Sequence, residues 1–304
     1  MRLTLEVVAT TLLGSGIVDR EAEIVGAAVD FITAETNRRL RNPFQLPLSV
    51  PTRHNRAFLR HRGNLDAIVF RIIEERRRSG EVGDDLLSLL LHATDPETGE
   101  RMSDTQLRDE VMTIFLAGHE TTANALSWAW VQLSRHPEVA QRLTAELETV
   151  LAGRTPTLED IPALVYTRQV LDEVMRLYPP AWTIARSPTE DDTLGGYFIP
   201  RGSLVFVSPW VVQRHPGLFP NPEGFDPDRF APGTKLPHRF AYFPFGGGPR
   251  LCIGRTFALV EATLLLATLA QRHRFDLVPG HTVLPESAVT LRPGGGVQMV
   301  AVPQ

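Results

Sequence analysis

One cysteine serves all 304 residues, and it stands in FGGGPRLCIG, residues 245–254, with glycine at 246, 247, 248 and 254. Glycine accepts positive φ and lets backbone lie against a flat partner without a Cβ in the way, so Gly246, Gly248 and Gly254 suit a loop pressed on a planar ligand. A helix is expected to open near residues 253–255, just after Cys252. The positive end and free N–H groups of a helix start favour a thiolate, which would make the sulfur an anionic metal ligand. A phosphate cradle does not fit, because no Gly-Lys-Ser/Thr follows the glycines.

A second stretch with chemical potential is AGHETT, residues 117–122. In a helix interior Gly118 costs about 1 kcal/mol relative to alanine, and Thr121 and Thr122 lose χ1 freedom. A threonine hydroxyl can also bond backward to a carbonyl and bend the turn. Local sequence here opposes a regular helix, as suits a place where something packs against it. Glu120 beside Thr121 sets an acid next to a hydroxyl, the parts of a proton relay. HETT begins like the zinc motif H-E-x-x-H, but position 123 is alanine and the second histidine is missing. His119 is expected to face solvent. Glu173 and Arg176, three apart, are neighbours on one helix face. Alone, such a pair is a surface ion pair worth about 0–1 kcal/mol.

These stretches together resemble the cytochrome P450 family. FGGGPRLCIG matches that family's haem-binding pattern, F-G-x-G-x-R-x-C-x-G, at every specified position, and AGHETT matches its A/G-G-x-D/E-T-T/S pattern in full. The resemblance implies haem b, iron protoporphyrin IX, with the Cys252 thiolate as axial ligand; haem-thiolate enzymes are themselves the standing example of such a ligand favouring O–O cleavage. By the same resemblance Phe245 shields the sulfur, Gly246 belongs to the loop under the macrocycle, and Arg250 and Arg186 reach haem propionates. Ala117 and Gly118 approach the distal face, Thr121 hydrogen-bonds dioxygen, and Glu120 feeds protons through water. Arg229 in FDPDRF joins Glu173 and Arg176 in a network that keeps the cysteine loop in register. Residues 181–184 line the substrate pocket, while His238, Arg239, Arg250 and Arg255 could dock an acidic electron donor.

The implied fold is mainly α with a minor β region, a single domain over 1–304 that begins partway into the family fold. It lacks the N-terminal sheet strands, the first helices, the helix whose Trp and Arg contact a propionate, and the loop that roofs the substrate pocket. The implied function is a monooxygenase acting on a small apolar organic substrate with dioxygen. Electrons are expected from a separate ferredoxin or flavoprotein, since no flavin or nicotinamide domain is encoded. The alternative is a non-catalytic, haem-binding remnant of such an enzyme.

Composition agrees with a globular chain: 43% hydrophobic, 22% charged and a formal net charge of -4. A weakly acidic chain without basic blocks argues against nucleic acid as the main partner. The longest apolar run, 258–270, is broken by Glu261 and falls short of the roughly 18 residues of a bilayer span. The N-terminal MRLTLEVVATTLLG has one basic residue and places Glu6 inside its apolar part, unlike a signal peptide. A lone cysteine fits a reducing, cytoplasmic setting.

The elements that must position these residues are read from periodicity and punctuation. Helices are expected over 3–13, 21–40, 54–78 and 84–91, with a proline-rich crossover, RNPFQLPLSVPT, between the second and third. A long helix starts at a Ser103/Gln106 capping box and stops at His136 before Pro137, about 50 Å later. Pro137 opens the next helix, which runs to a break at Gly153, and another over 163–178 is ended by Pro179 and Pro180. WTIAR, YFIP and LVFVSPW read as short strands, a last helix covers 255–273, and terminal strands lie near 289–291 and 297–302.

Overall fold

The computed structural model describes residues 1–12, 14, 19–42, 44–80 and 83–304. Two compact units emerge, Met1–Ala123 and Asn124–Gln304. Helix α5, Asp104–Arg135, supplies 104–123 to the first and 124–135 to the second. Leu13 of the first expected helix and Pro43 of the crossover lie outside the described residues.

The first unit holds α1 (Arg2–Leu12), α2 (Asp19–Arg41), α3 (Arg53–Ser79) and α4 (Leu86–His92). Helix α3 buries Leu65, Ile68, Val69, Ile72 and Ile73, the i, i+3, i+4 stripe expected from its pattern, and α2 packs along it. Its start is fixed by Thr52, whose Oγ1 accepts from the Asn55 N–H at 3.1 Å. It stops at Gly80, which takes φ 64, after three arginines in the last turn, where positive charge complements the helix dipole. The crossover is non-helical and ordered over 44–52. Asn55 is buried and donates through Nδ2 to the carbonyls of Pro47 and Val50, both at 2.8 Å.

In the second unit α6 (Pro137–Leu151), α7 (Val165–Leu177) and α9 (Arg255–Ala270) pack on one another, and Leu143, Leu147, Leu164, Val170, Leu171 and Leu266 make the core they share. Each such fully buried side chain contributes about 1.5–3 kcal/mol. Pro137 stands at the start of α6, and the helix ends one residue earlier than Gly153 required: Ala152 takes the left-handed cap, φ 48, before Gly153 at φ 84.

The β content consists of short antiparallel pairs: β1 (Ile184–Arg186) with β4 (Val205–Val207), β2 (Asp192–Leu194) with β3 (Tyr197–Ile199), β5 (His273–Leu277) with β8 (Met299–Pro303), and β6 (Pro285–Ser287) with β7 (Leu291–Pro293). A four-residue helix, α8 (Pro209–Val212), follows β4. Three boundaries differ from expectation, the first at Pro209 and Trp210, which fall within the expected strand LVFVSPW and instead open α8. The last helix ends at Ala270, and His273 instead opens β5, where it faces Pro303 of β8. Residues 289–290 form a turn ahead of β7. For His273 a strand partner thirty residues away decides the conformation, whereas 289–290 belong to the bend of the local β6–β7 hairpin. Among the described residues no helix is long and apolar enough to cross a membrane.

Candidate functional site

Helix α7 is the anchor of the second unit, with Glu173 and Arg176 both fully buried. Arg176 Nε and Nη2 donate to Glu173 Oε2 and Oε1 at 2.7 and 2.8 Å. Its remaining N–H groups reach the carbonyls of Gln213 (2.9 Å), Pro222 (2.7 Å) and Gly224 (2.9 Å). All five guanidinium donors therefore have acceptors, the condition for tolerating a buried cation. Glu173 Oε1 also accepts the Asp226 N–H at 2.9 Å and lies 3.3 Å from Arg229 Nε. That last contact is an ion pair whose geometry falls outside a hydrogen bond. One carboxylate between two guanidiniums is thus present as expected, and it holds the segment 222–229 against the helix.

The cysteine loop hangs from the same helix. Tyr242 Oη donates to Asp172 Oδ1 at 2.8 Å, and Arg168 Nε donates to Asp172 Oδ2 at 2.8 Å. Burial pushes both the Asp172 carboxyl and the Tyr242 phenol upward, so the phenol stays protonated and donates. The Phe243 N–H meets Gln213 Oε1 at 2.9 Å. Within the loop, Gly246 N–H donates to Phe243 O at 2.9 Å and Cys252 N–H to Phe245 O at 3.0 Å. Gly246 and Gly248 adopt φ 74 and 71, which only glycine takes without strain. Phe245 packs toward Ala125, Met175 and Leu259. Cys252 itself is exposed, flanked by the exposed side chains of Leu251 and Ile253, and α9 begins three residues on with no acidic residue in its first turn.

In the first unit, residues 117–122 are regular helix despite their composition. Thr121 Oγ1 donates back to Ala117 O at 2.8 Å and Thr122 Oγ1 to Gly118 O at 3.2 Å, the backward bonding expected of these hydroxyls. Gly118 makes room for α1, since a Cβ there would come within 3.1 Å of Val8 Cγ2. Glu110, Thr113 and Ala117 are exposed on one helical stripe, with Thr121 half-buried at its end, while Glu120 is buried.

His119 corrects the expectation of a solvent-facing residue: only 3% of it is exposed. Its Nδ1 lies 3.1 Å from Phe115 O, and burial pushes its pKa down, so the ring is neutral with its proton on Nδ1. The stripe Leu107, Val111, Phe115, His119 was visible in the sequence at i, i+4 spacing and argued for burial. Gln213, Asp172 and Tyr242 were not singled out at all. Arg168 and Asp172 at i, i+4 were a weak signal, and for Gln213 the sequence held none.

Arg250 and Arg186 are exposed, and Arg186 Nη1 bonds only the neighbouring Ala185 carbonyl, at 2.9 Å. Neither forms an ion pair among the described residues. Strand β1 runs beside the loop, because a Cβ on Gly246 would lie 3.5 Å from Ile184 Cδ1. His238, Arg239 and Arg255 are exposed as well. Residues 181–184 are half-buried, and Trp182 Nε1 donates to Ala288 O at 2.8 Å.

Comparison with known proteins gives these geometries a context. Cyclooctatin synthase of Streptomyces melanosporofaciens is 40% identical over 307 residues, spanning 100% of this chain and 66% of its own length. Pentalenene oxygenase of Streptomyces avermitilis is 39% identical over 293 residues, 95% of this chain and 64% of its own. The crystal structure of the cytochrome P450DA heme domain matches with a TM-score of 0.88 at 32% identity, over 99% of this chain and 66% of that one. The chain spans about two thirds of the length of these relatives. The Cytochrome P450 family model matches residues 1–298, a span that takes in α5, α7 and the cysteine loop alike, and the chain belongs to the cytochrome P450 family.

Proposed function

We propose that this chain carries out haem-thiolate monooxygenation of a small apolar organic substrate. The observation that carries the reading is the exposed Cys252 at the mouth of a glycine loop, three residues before a helix. The surroundings fit a planar, largely apolar group. A Cβ on Gly248 would meet nothing within 4 Å, one on Gly254 only the Cys252 sulfur at 3.9 Å, and the apolar Leu251 and Ile253 stand open on either side. Two exposed arginines without carboxylate partners among the described residues, Arg186 and Arg250, suit the two propionates.

Haem, when bound, supplies a redox-active iron whose thiolate ligand favours O–O cleavage. The protein's part is to place the sulfur, shield it and deliver protons. Cys252 would be the ligand, and Phe245, by the family resemblance, the ring that would shield its sulfur. Gly246 lets the loop lie flat. Along α5, Ala117 carries no more than a methyl group, Gly118 is taken up by the close approach of α1, and Thr121 presents a hydroxyl. Thr121 must release its bond to Ala117 O to donate elsewhere, and the buried Glu120 beside it is the proton source. The relatives named cyclooctat-9-en-7-ol 5-monooxygenase and pentalenene oxygenase act, by their names, on cyclooctat-9-en-7-ol and pentalenene, which favours a substrate of related kind. Electrons come from a ferredoxin or flavoprotein, and the exposed His238, Arg239 and Arg255 offer it a docking surface.

The test is reduction of the haem-loaded protein under carbon monoxide. Wild type is expected to give the Soret band of a thiolate ligand and Cys252→Ser to lose it. Failure of wild type to take up haem, or a spectrum indifferent to Cys252→Ser, overturns the reading in favour of a non-catalytic remnant.

A further inference from the structure

Gln213 carries out no chemistry, yet it joins three backbone groups that belong to different parts of the second unit. It is fully buried. Its Nε2 donates to Met175 O and Arg176 O, both at 3.0 Å, and its Oε1 accepts the Phe243 N–H at 2.9 Å. The first two are carbonyls in the last turn of α7, which have no acceptor role inside the helix and must find donors elsewhere. The third is the first link of the cysteine loop: Phe243 O in turn accepts from Gly246, and Phe245 O from Cys252. The main chain of Gln213 is itself held, since its carbonyl accepts from Arg176 Nη1 at 2.9 Å. A single amide thus ties the end of the buried helix α7 to the entry of the loop. An amide is suited to this task, because it offers two donors and an acceptor at one end of a neutral side chain.

We infer that Gln213 is a positioning residue for Cys252: it sets the height of the loop, and so of the sulfur, relative to α7. The inference rests on Cys252 being the haem ligand as proposed above, and extends it to a residue 39 positions away (252 − 213). A purely structural glutamine would, when replaced, weaken the whole unit. A positioning glutamine would loosen the loop ahead of everything else, because the Glu173–Arg176 pair and the core of α6, α7 and α9 do not depend on its side chain.

The experiment compares wild type with Gln213→Met, of similar length without polar atoms, and Gln213→Asn, one methylene too short to span both partners. Hydrogen–deuterium exchange of the whole chain is read by mass spectrometry on peptides covering 242–254, with peptides of α6 as reference. The expected result is about ten-fold faster exchange over 242–254 with the reference unchanged. The haem-loaded variants are then reduced under carbon monoxide, and a loss of at least half of the thiolate band relative to wild type is expected. Unchanged exchange over 242–254, equal acceleration in α6, failure of both variants to fold, or a thiolate band equal to that of wild type would each overturn the inference. A wild type that never shows a thiolate band would instead sink the proposed function, while the exchange measurement, made without haem, still judges the tie itself.

Discussion

Arg176 and Glu173 meet through two parallel hydrogen bonds, at 2.7 and 2.8 Å, and neither side chain exposes any surface. A pair of this kind is not a source of large net stability, because removing two charges from water offsets most of their attraction. Breaking it is another matter. Arg176→Lys leaves three donors where five are needed, and Glu173→Gln strands a buried cation. Each is expected to destabilise the chain by about 3–5 kcal/mol. Denaturant unfolding checks this, and a loss below about 1 kcal/mol would show that the network is dispensable.

The second prediction separates stability from chemistry on α5. Thr121 spends its hydroxyl on Ala117 O, and alanine is the better helix former. Thr121→Ala should therefore leave the unfolding midpoint unchanged or raise stability by a few tenths of a kcal/mol, roughly the propensity difference. Product formed per oxygen consumed should fall severalfold, with Thr121→Ser retaining most of it. Coupling equal to wild type in Thr121→Ala would remove Thr121 from the proposed proton path.

A third concerns acid. Glu35 is buried and accepts from Arg38 at 2.6 and 2.8 Å and from Arg39 at 2.9 Å. The Arg38 hydrogen bonds, aided by Arg39, outweigh burial and lower its pKa from 4.5 to about 2. Because the folded value is depressed, the pair stabilises the chain above pH 4.5, and this is lost as pH falls from 4.5 toward about 2. With Arg38 partly in solvent, the contribution is screened to about 1 kcal/mol. Unfolding measured at pH 5 and pH 3 should show a smaller acid loss in Glu35→Gln than in wild type. Equal losses would place the acid sensitivity elsewhere.

The fourth is a gain. Ala152 caps α6 in the left-handed region at φ 48, a conformation costing an L-residue about 1–2 kcal/mol and glycine almost nothing. Ala152→Gly should stabilise the chain by about 0.5–1 kcal/mol after the added freedom of the unfolded glycine is subtracted. Thermal unfolding reads it directly, and a lower midpoint would show that the methyl group is needed for packing.

Much of this protein could be read along the chain because the responsible forces act within a few residues. Helices α3, α6 and α7 follow from apolar spacing and from Pro137 and Pro179, and the Glu173–Arg176 pair follows from i, i+3 geometry. The cysteine loop was legible because glycines at fixed offsets from Cys252 impose a backbone shape wherever the loop sits. Other features belong to the closed chain alone. His273 turned to strand because β8, some thirty residues later, offered it a partner, a tertiary override of local helix propensity. Tyr242 found Asp172 seventy residues away, and Gln213 joined Met175, Arg176 and Phe243. A buried polar group must be satisfied by whichever partner the packed core brings within 3 Å, and that partner is set by the fold, not by neighbours in sequence.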